Sequence, residues 1–77
     1  MSDDLDHLRA LEASAEAAYD AMYEAHSPNA ASICYSDAKH FFYEAIAVAR
    51  RTGADEDADR LEARLAHVKA VFRSQFT

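Results

Sequence analysis

The 77 residues carry a formal charge of −6 and contain one cysteine, one proline and one glycine. This length allows one small domain over residues 1–77, and a lone cysteine excludes an internal disulfide. The acidic balance argues against nucleic acid or an anionic membrane surface as a partner. The acidic start is followed by no continuous apolar run, so we expect no signal peptide and no transmembrane helix, and a cytoplasmic protein with a reduced thiol.

Apolar residues at a three-and-four spacing predict a first helix over about residues 3–26. Ser2 or Asp3 can cap its start. The helix must end before Pro28, because proline disfavours helix in the residue before it. Ser27 then becomes the N-cap of the next helix, with Pro28 at the first helical position. The stripe consists of Leu5, Leu8, Leu11, Ala15, Ala18, Tyr19 and Met22.

The second predicted helix, about 28–51, is apolar over much of its circumference, which indicates a central helix covered on more than one side. Thr52 and Gly53 end it, with Gly53 free to adopt the left-handed conformation. A third helix, about 55–75, opens with the acids Asp55–Asp57 and continues with an apolar stripe. The short connections predict a three-helix antiparallel bundle, or a helical hairpin with a third helix added.

The second helix contains an alanine, a phenylalanine four residues later and an alanine three residues after that, namely Ala38, Phe42 and Ala45. This pattern and the Val48–Gly53 segment after it resemble the second helix of a tetratricopeptide repeat, over about a third of the chain. The resemblance implies tetratricopeptide-like packing and a protein that binds proteins. The first helix departs from the family, since Pro28 interrupts the expected register.

Four tyrosines in so short a chain suggest an interaction surface, because tyrosine is enriched at protein interfaces. Tyr23 and Tyr43 point away from the predicted core stripes. With Phe41 or Phe42, whichever the bundle leaves uncovered, they can form an apolar patch through which the protein dimerises.

The first helix carries Glu12, Glu16, Asp20 and Glu24 at four-residue steps, so that each carboxylate repels the next. The acids either pair with Arg60, Arg64 and Lys69 of the third helix or remain solvated, or they form a docking face for a basic partner, centred on Glu16 and Asp20.

One face of the second helix aligns Asp37, His40 and Glu44, which could bind a divalent transition metal. No His-x3-His or paired cysteines accompany them, so an exposed polar stripe is the simpler interpretation. Cys34, one turn earlier, is interpreted as a packing residue.

We therefore expect an interaction module that forms a homodimer, has no catalytic activity and uses no cofactor. The alternative is a metal- or small-ligand-binding helical protein that uses Asp37, His40 and Glu44. A helical domain that binds nucleic acid through basic residues of the C-terminal half is disfavoured by the net charge.

Overall fold

The computed structural model describes residues 2–76, which form three α-helices in the predicted order. The helices are α1 (Ser2–Glu24), α2 (Pro28–Arg51) and α3 (Asp55–Gln75). α2 and α3 have the predicted bounds, whereas α1 ends two residues earlier than predicted. No strand occurs in residues 2–76, and the all-α bundle is confirmed.

Ser27 and Pro28 start α2 as the sequence predicts. Ser27 has an extended backbone, and its side-chain oxygen accepts a hydrogen bond from the Ala30 N–H at 3.1 Å. Pro28 occupies the first turn, where no N–H is needed. The sequence predicts Ser2 or Asp3 as the N-cap of α1. Both residues already belong to the helix, so the N-cap position lies outside the described residues.

Gly53 ends α2 in the left-handed conformation, with φ of +80°. The Ala54 N–H donates to the Ala49 carbonyl at 2.8 Å, and the Gly53 N–H donates to the Arg50 carbonyl at 3.3 Å. This pair of bonds is the Schellman motif, which satisfies carbonyls that the helix end would leave unpaired. The chain then enters α3 directly, with three acids in the first turn of that helix.

The core lies where α2 packs against both other helices. Phe42 is fully buried and Phe41 only partly, which decides between the two adjacent phenylalanines. Ala38 and Ala45 are also fully buried, so α2 presents small residues on either side of one large ring. The buried residues are Leu8, Leu11, Ala15, Tyr19, Met22, Ala31, Ala38, Phe42, Ala45, Val48, Ala49, Ala58, Leu61, Leu65 and Val68.

Side-chain contacts define the directions of the helices. Glu12 of α1 pairs with Arg60, and Tyr23, later in α1, packs against Phe76. The contacts follow the same order along both parts of the chain, so α1 and α3 run parallel. Tyr35, early in α2, stacks on a ring late in α3, so α2 is antiparallel to both. The bundle therefore has a Pro28 end, where α1 and α3 finish, and a Gly53 end, where they begin.

Candidate functional site

Tyrosine and lysine side chains alternate on the side of the bundle where α2 meets α3. Tyr35, Lys39 and Tyr43 occupy successive turns of α2, and Lys69 and Phe72 come from α3. Lys39 Nζ lies 4.5 Å from the centroid of the Tyr35 ring, which itself stacks on Phe72 at 3.9 Å. Lys69 Nζ donates to the Tyr43 hydroxyl at 2.7 Å and lies 5.1 Å from the centre of its ring. We call these five residues the tyrosine–lysine face.

A cleft of about 300 Å³ opens beside Tyr43 on this face. Ile46 of α2 and Leu65 and Ala66 of α3 supply its apolar lining. The Tyr43 side of the cleft remains accessible, since 52% of Tyr43 is exposed. The Tyr43 hydroxyl, Lys69 and the Glu62 carboxylate, which is paired with Arg50, complete the lining, so the cleft combines apolar walls with polar groups of both charges.

A second aromatic group lies at the Pro28 end, between α1 and α3. The Tyr23 ring packs edge-to-face against Tyr19 at 5.4 Å and against Phe76 at 5.5 Å. The Tyr19 and Tyr23 hydroxyls are hydrogen bonded at 3.0 Å. Burial and this hydrogen bond raise the pKa of Tyr19 to about 12. Tyr23 remains 50% exposed although its ring is held on two sides.

Asp20 and Glu24 flank Tyr23 on the last turns of α1. Both are exposed, and neither enters an ion pair or side-chain hydrogen bond with another described residue. We call Asp20, Tyr23 and Glu24 the acidic edge. It stands at the end of the most acidic helix, since α1 carries seven carboxylates and one arginine, a formal −6, while the charges of α2 and α3 nearly cancel.

The other two acids of the α1 stripe are held by arginines of α3. Arg60 donates to both carboxylate oxygens of Glu12, at 2.6 and 3.0 Å, and Arg64 donates to both oxygens of Glu16, at 2.8 Å each. The hydrogen bond from Arg60 lowers the pKa of Glu12, and Glu16 raises the pKa of Arg64. The stripe is thus divided into two acids paired within the fold and two that face solvent.

The predicted patch of Tyr23, Tyr43 and Phe41 is not assembled at one place. Tyr23 lies between α1 and α3, whereas Tyr43 lies between α2 and α3. Phe41 and Tyr43 are two residues apart on one helix, which turns their side chains about 200° from each other. Phe41 is partly buried against the core and contacts the His40 ring. Of the remaining predicted contact residues, Asp20 is exposed and Glu16 is bonded to Arg64.

The predicted metal ligands are brought together only in part. His40 Nε2 lies 2.9 Å from Glu44 Oε1, one helical turn away, and both side chains are exposed. Among residues 2–76 no group of three or more histidine, cysteine, aspartate or glutamate side chains is placed to hold a metal ion. Asp37 therefore adds no third ligand, and the pair is an ordinary contact on a helix surface.

Three basic residues of the C-terminal half, Arg50, Arg60 and Arg64, are paired with acids. Arg50 contacts Asp55, Asp59 and Glu62, and hydrogen bonds to the last two raise its pKa. Cys34 is half-buried and packs against the core, as expected for a packing residue.

The sequence did not predict that the five residues of the tyrosine–lysine face form one surface. The four-residue spacing of Tyr35, Lys39 and Tyr43 is visible in the sequence and could have marked one edge of α2. Its partners Lys69 and Phe72 depend on the alignment of α3 along α2. That alignment is set by packing between helices and has no local signature.

No family model matches the chain, and comparisons with curated proteins and with solved structures likewise give no significant match. In the part of the chain that the structure describes, none of the three helices is long and apolar enough to span a membrane.

Proposed function

We propose that this protein is a helical protein–protein interaction module without catalytic activity of its own, and that it associates with itself, first as a homodimer. The proposal rests on the exposure of Tyr23 and Tyr43 and on the contacts that hold them within the chain. Each is about half exposed, at 50% and 52%, yet each is fixed by contacts within the chain. Tyr23 rests on two aromatic rings, and Tyr43 is bonded to Lys69.

Fixed and exposed tyrosines are suited to anchor a partner. A tyrosine offers a large apolar ring together with a hydroxyl that can keep a hydrogen bond when water is excluded. Ordering a side chain on binding costs about 0.5–1.5 kcal/mol, and part of this cost is already met where the rotamer is fixed in the free protein. Tyr23 and Tyr43 therefore bind at a lower entropic cost than freely rotating side chains would.

The resemblance of α2 to a tetratricopeptide helix supports the same class of function. Ala38, Phe42 and Ala45 are fully buried, in keeping with a large ring between two small residues where neighbouring helices approach. Repeats of this type present helix surfaces to other proteins. We propose that α1, α2 and α3 form such a scaffold in the cytoplasm, with no membrane or nucleic acid as partner.

Sedimentation across a hundredfold concentration range tests this proposal, using the whole chain and three alanine variants. We expect the mean mass to rise from monomer to dimer with concentration. Tyr23→Ala and Tyr43→Ala should each raise the dissociation constant at least tenfold, which corresponds to about 1.4 kcal/mol, a modest hot-spot contribution.

Ile33→Ala is the matched control, because Ile33 is an equally exposed apolar residue of α2, at 57%, and contributes to neither tyrosine group. It should leave the dissociation constant unchanged. Circular dichroism should show that all three variants remain helical. A wild-type chain that is monomeric at every concentration would contradict self-association.

A further inference from the structure

Self-association, if it occurs as proposed above, requires a contact, and two surfaces of this chain are complementary in charge and shape. We infer that the acidic edge of one copy docks on the tyrosine–lysine face of a second copy. The two surfaces are different, so the contact is heterologous: α1 of one molecule lies against α2 and α3 of the next.

The charges of the two surfaces match in sign and number. On the tyrosine–lysine face, Lys39 and Lys69 lie against tyrosine rings, and neither pairs with a carboxylate of the described residues. On the acidic edge, Asp20 and Glu24 form no ion pair within residues 2–76. Two carboxylates one helical turn apart thus face two ammonium groups that the fold leaves without a bonded counter-charge.

The shapes also match. The exposed edge of Tyr23 lies beside the two carboxylates at the end of α1, and the tyrosine–lysine face holds the cleft of about 300 Å³ beside Tyr43. A benzene ring fits a cavity of about 150 Å³, so this open cleft admits one aromatic ring. The ring would contact Ile46, Leu65 and Ala66, with Lys69 at the rim available to one carboxylate and Lys39, one turn before Tyr43, available to the other.

A second copy is favoured over a basic partner on the acidic edge or an acidic partner on the opposite face, because the chain carries both halves. α1 alone carries a formal −6, equal to the net charge of the chain, so it is the acidic helix that the lysines would attract. The contact uses one surface of each molecule and leaves the other free. A dimer formed in this way can therefore add further copies at high concentration.

Complementation between two charge-reversed variants tests the contact. Lys39→Glu/Lys69→Glu reverses the charge of the tyrosine–lysine face, and Asp20→Lys/Glu24→Lys reverses the charge of the acidic edge. We expect each variant alone to be monomeric at concentrations where the wild type is dimeric. The first retains an intact acidic edge and the second an intact tyrosine–lysine face, and the two reversed surfaces are again opposite in charge, so an equimolar mixture should recover association between the two variants.

Arg9→Glu/Arg51→Glu is the control, because it changes the net charge by the same amount as the lysine variant at exposed arginines away from both surfaces. It should dimerise like the wild type, and circular dichroism should show that every variant is folded. A mixture that stays monomeric, or single variants that dimerise like the wild type, would overturn the contact while leaving self-association in place. A wild type that never dimerises would overturn both proposals.

Discussion

The conformation of Gly53 determines how α2 ends before α3 begins. Its φ of +80° allows the two Schellman hydrogen bonds that close the end of α2. A Cβ at this position would meet no neighbouring atom within 4 Å. The requirement for glycine is therefore one of backbone conformation and not of space.

Gly53→Ala should lower the free energy of unfolding by about 1 kcal/mol, which is the cost of holding a residue with a Cβ in the left-handed region. In a domain of this size the midpoint of thermal unfolding should fall by roughly 4–8 °C, as measured by circular dichroism. Gly53→Asn is the control, because asparagine tolerates this region better, and it should lose less. An alanine variant as stable as the wild type would mean that α2 ends equally well in another way.

At the scale of the helices, α1 makes apolar contacts with α2 and mostly polar or aromatic contacts with α3. Its apolar stripe, except for the exposed Leu5, packs in the core mainly against α2, whereas its bonds to α3 are made by long charged side chains and by tyrosines. The residues bonded from α1 to α3 by ion pairs are separated by 48 positions in both cases, which shows a constant parallel alignment. α3 is thus attached to α1 by polar bridges that lie over an apolar core.

Two identical substitutions on α1 should have opposite effects on stability. Glu16→Gln removes the charge from the two-bond pair with Arg64 and should lower the free energy of unfolding by about 0.5–1 kcal/mol. Glu24→Gln removes an unpaired acid from the C-terminal turn of α1, where it repels Asp20 and the helix dipole, and should raise it by about 0.3–0.8 kcal/mol.

Urea unfolding of both variants, followed by circular dichroism, measures these changes. Their difference is more informative than either value, because the chemical change is the same. If both variants gained stability, the acids of α1 would act only by mutual repulsion and the Arg64 bond would contribute nothing.

The sequence predicts the helices well because its signals for them are local. Ser27, Pro28 and Gly53 are distinctive residues, and each acts within a few positions of itself. How the helices are rotated against one another is not a local property. For this reason the sequence could not choose between Phe41 and Phe42, and it could not show that Tyr23 and Tyr43 lie on different sides of α3.

At the scale of the whole molecule, the changed pKa values of Glu12 and Tyr19 make the free energy of unfolding depend on pH. The pKa of Glu12 is lowered in the folded protein, mainly by the hydrogen bond from Arg60. This stabilisation is present above the ordinary pKa of about 4.5 and is lost as the pH falls through the lower folded value. The pKa of Tyr19 is raised from 10 to about 12, so its stabilisation is present below pH 10 and is lost as the pH rises through about 12.

We therefore expect the free energy of unfolding to be nearly constant between about pH 5 and pH 10 as far as these two groups are concerned, and to fall on both sides.

The alkaline decline is the sharper test, because burial of one hydroxyl is its main cause. Tyr19→Phe should lose about 1 kcal/mol at neutral pH with the hydrogen bond to Tyr23, and its deficit relative to the wild type should shrink between pH 10 and 12. Tyr23→Phe leaves the Tyr19 hydroxyl buried and should keep the decline. Urea unfolding at a series of pH values measures these differences, and the tyrosinate absorbance that the folded wild type has and Tyr19→Phe lacks reports the Tyr19 ionisation among the four tyrosines. A decline that is equally steep in Tyr19→Phe would show that alkaline unfolding begins at another group, and the closure of the bundle at its Pro28 end would then not depend on a protonated Tyr19.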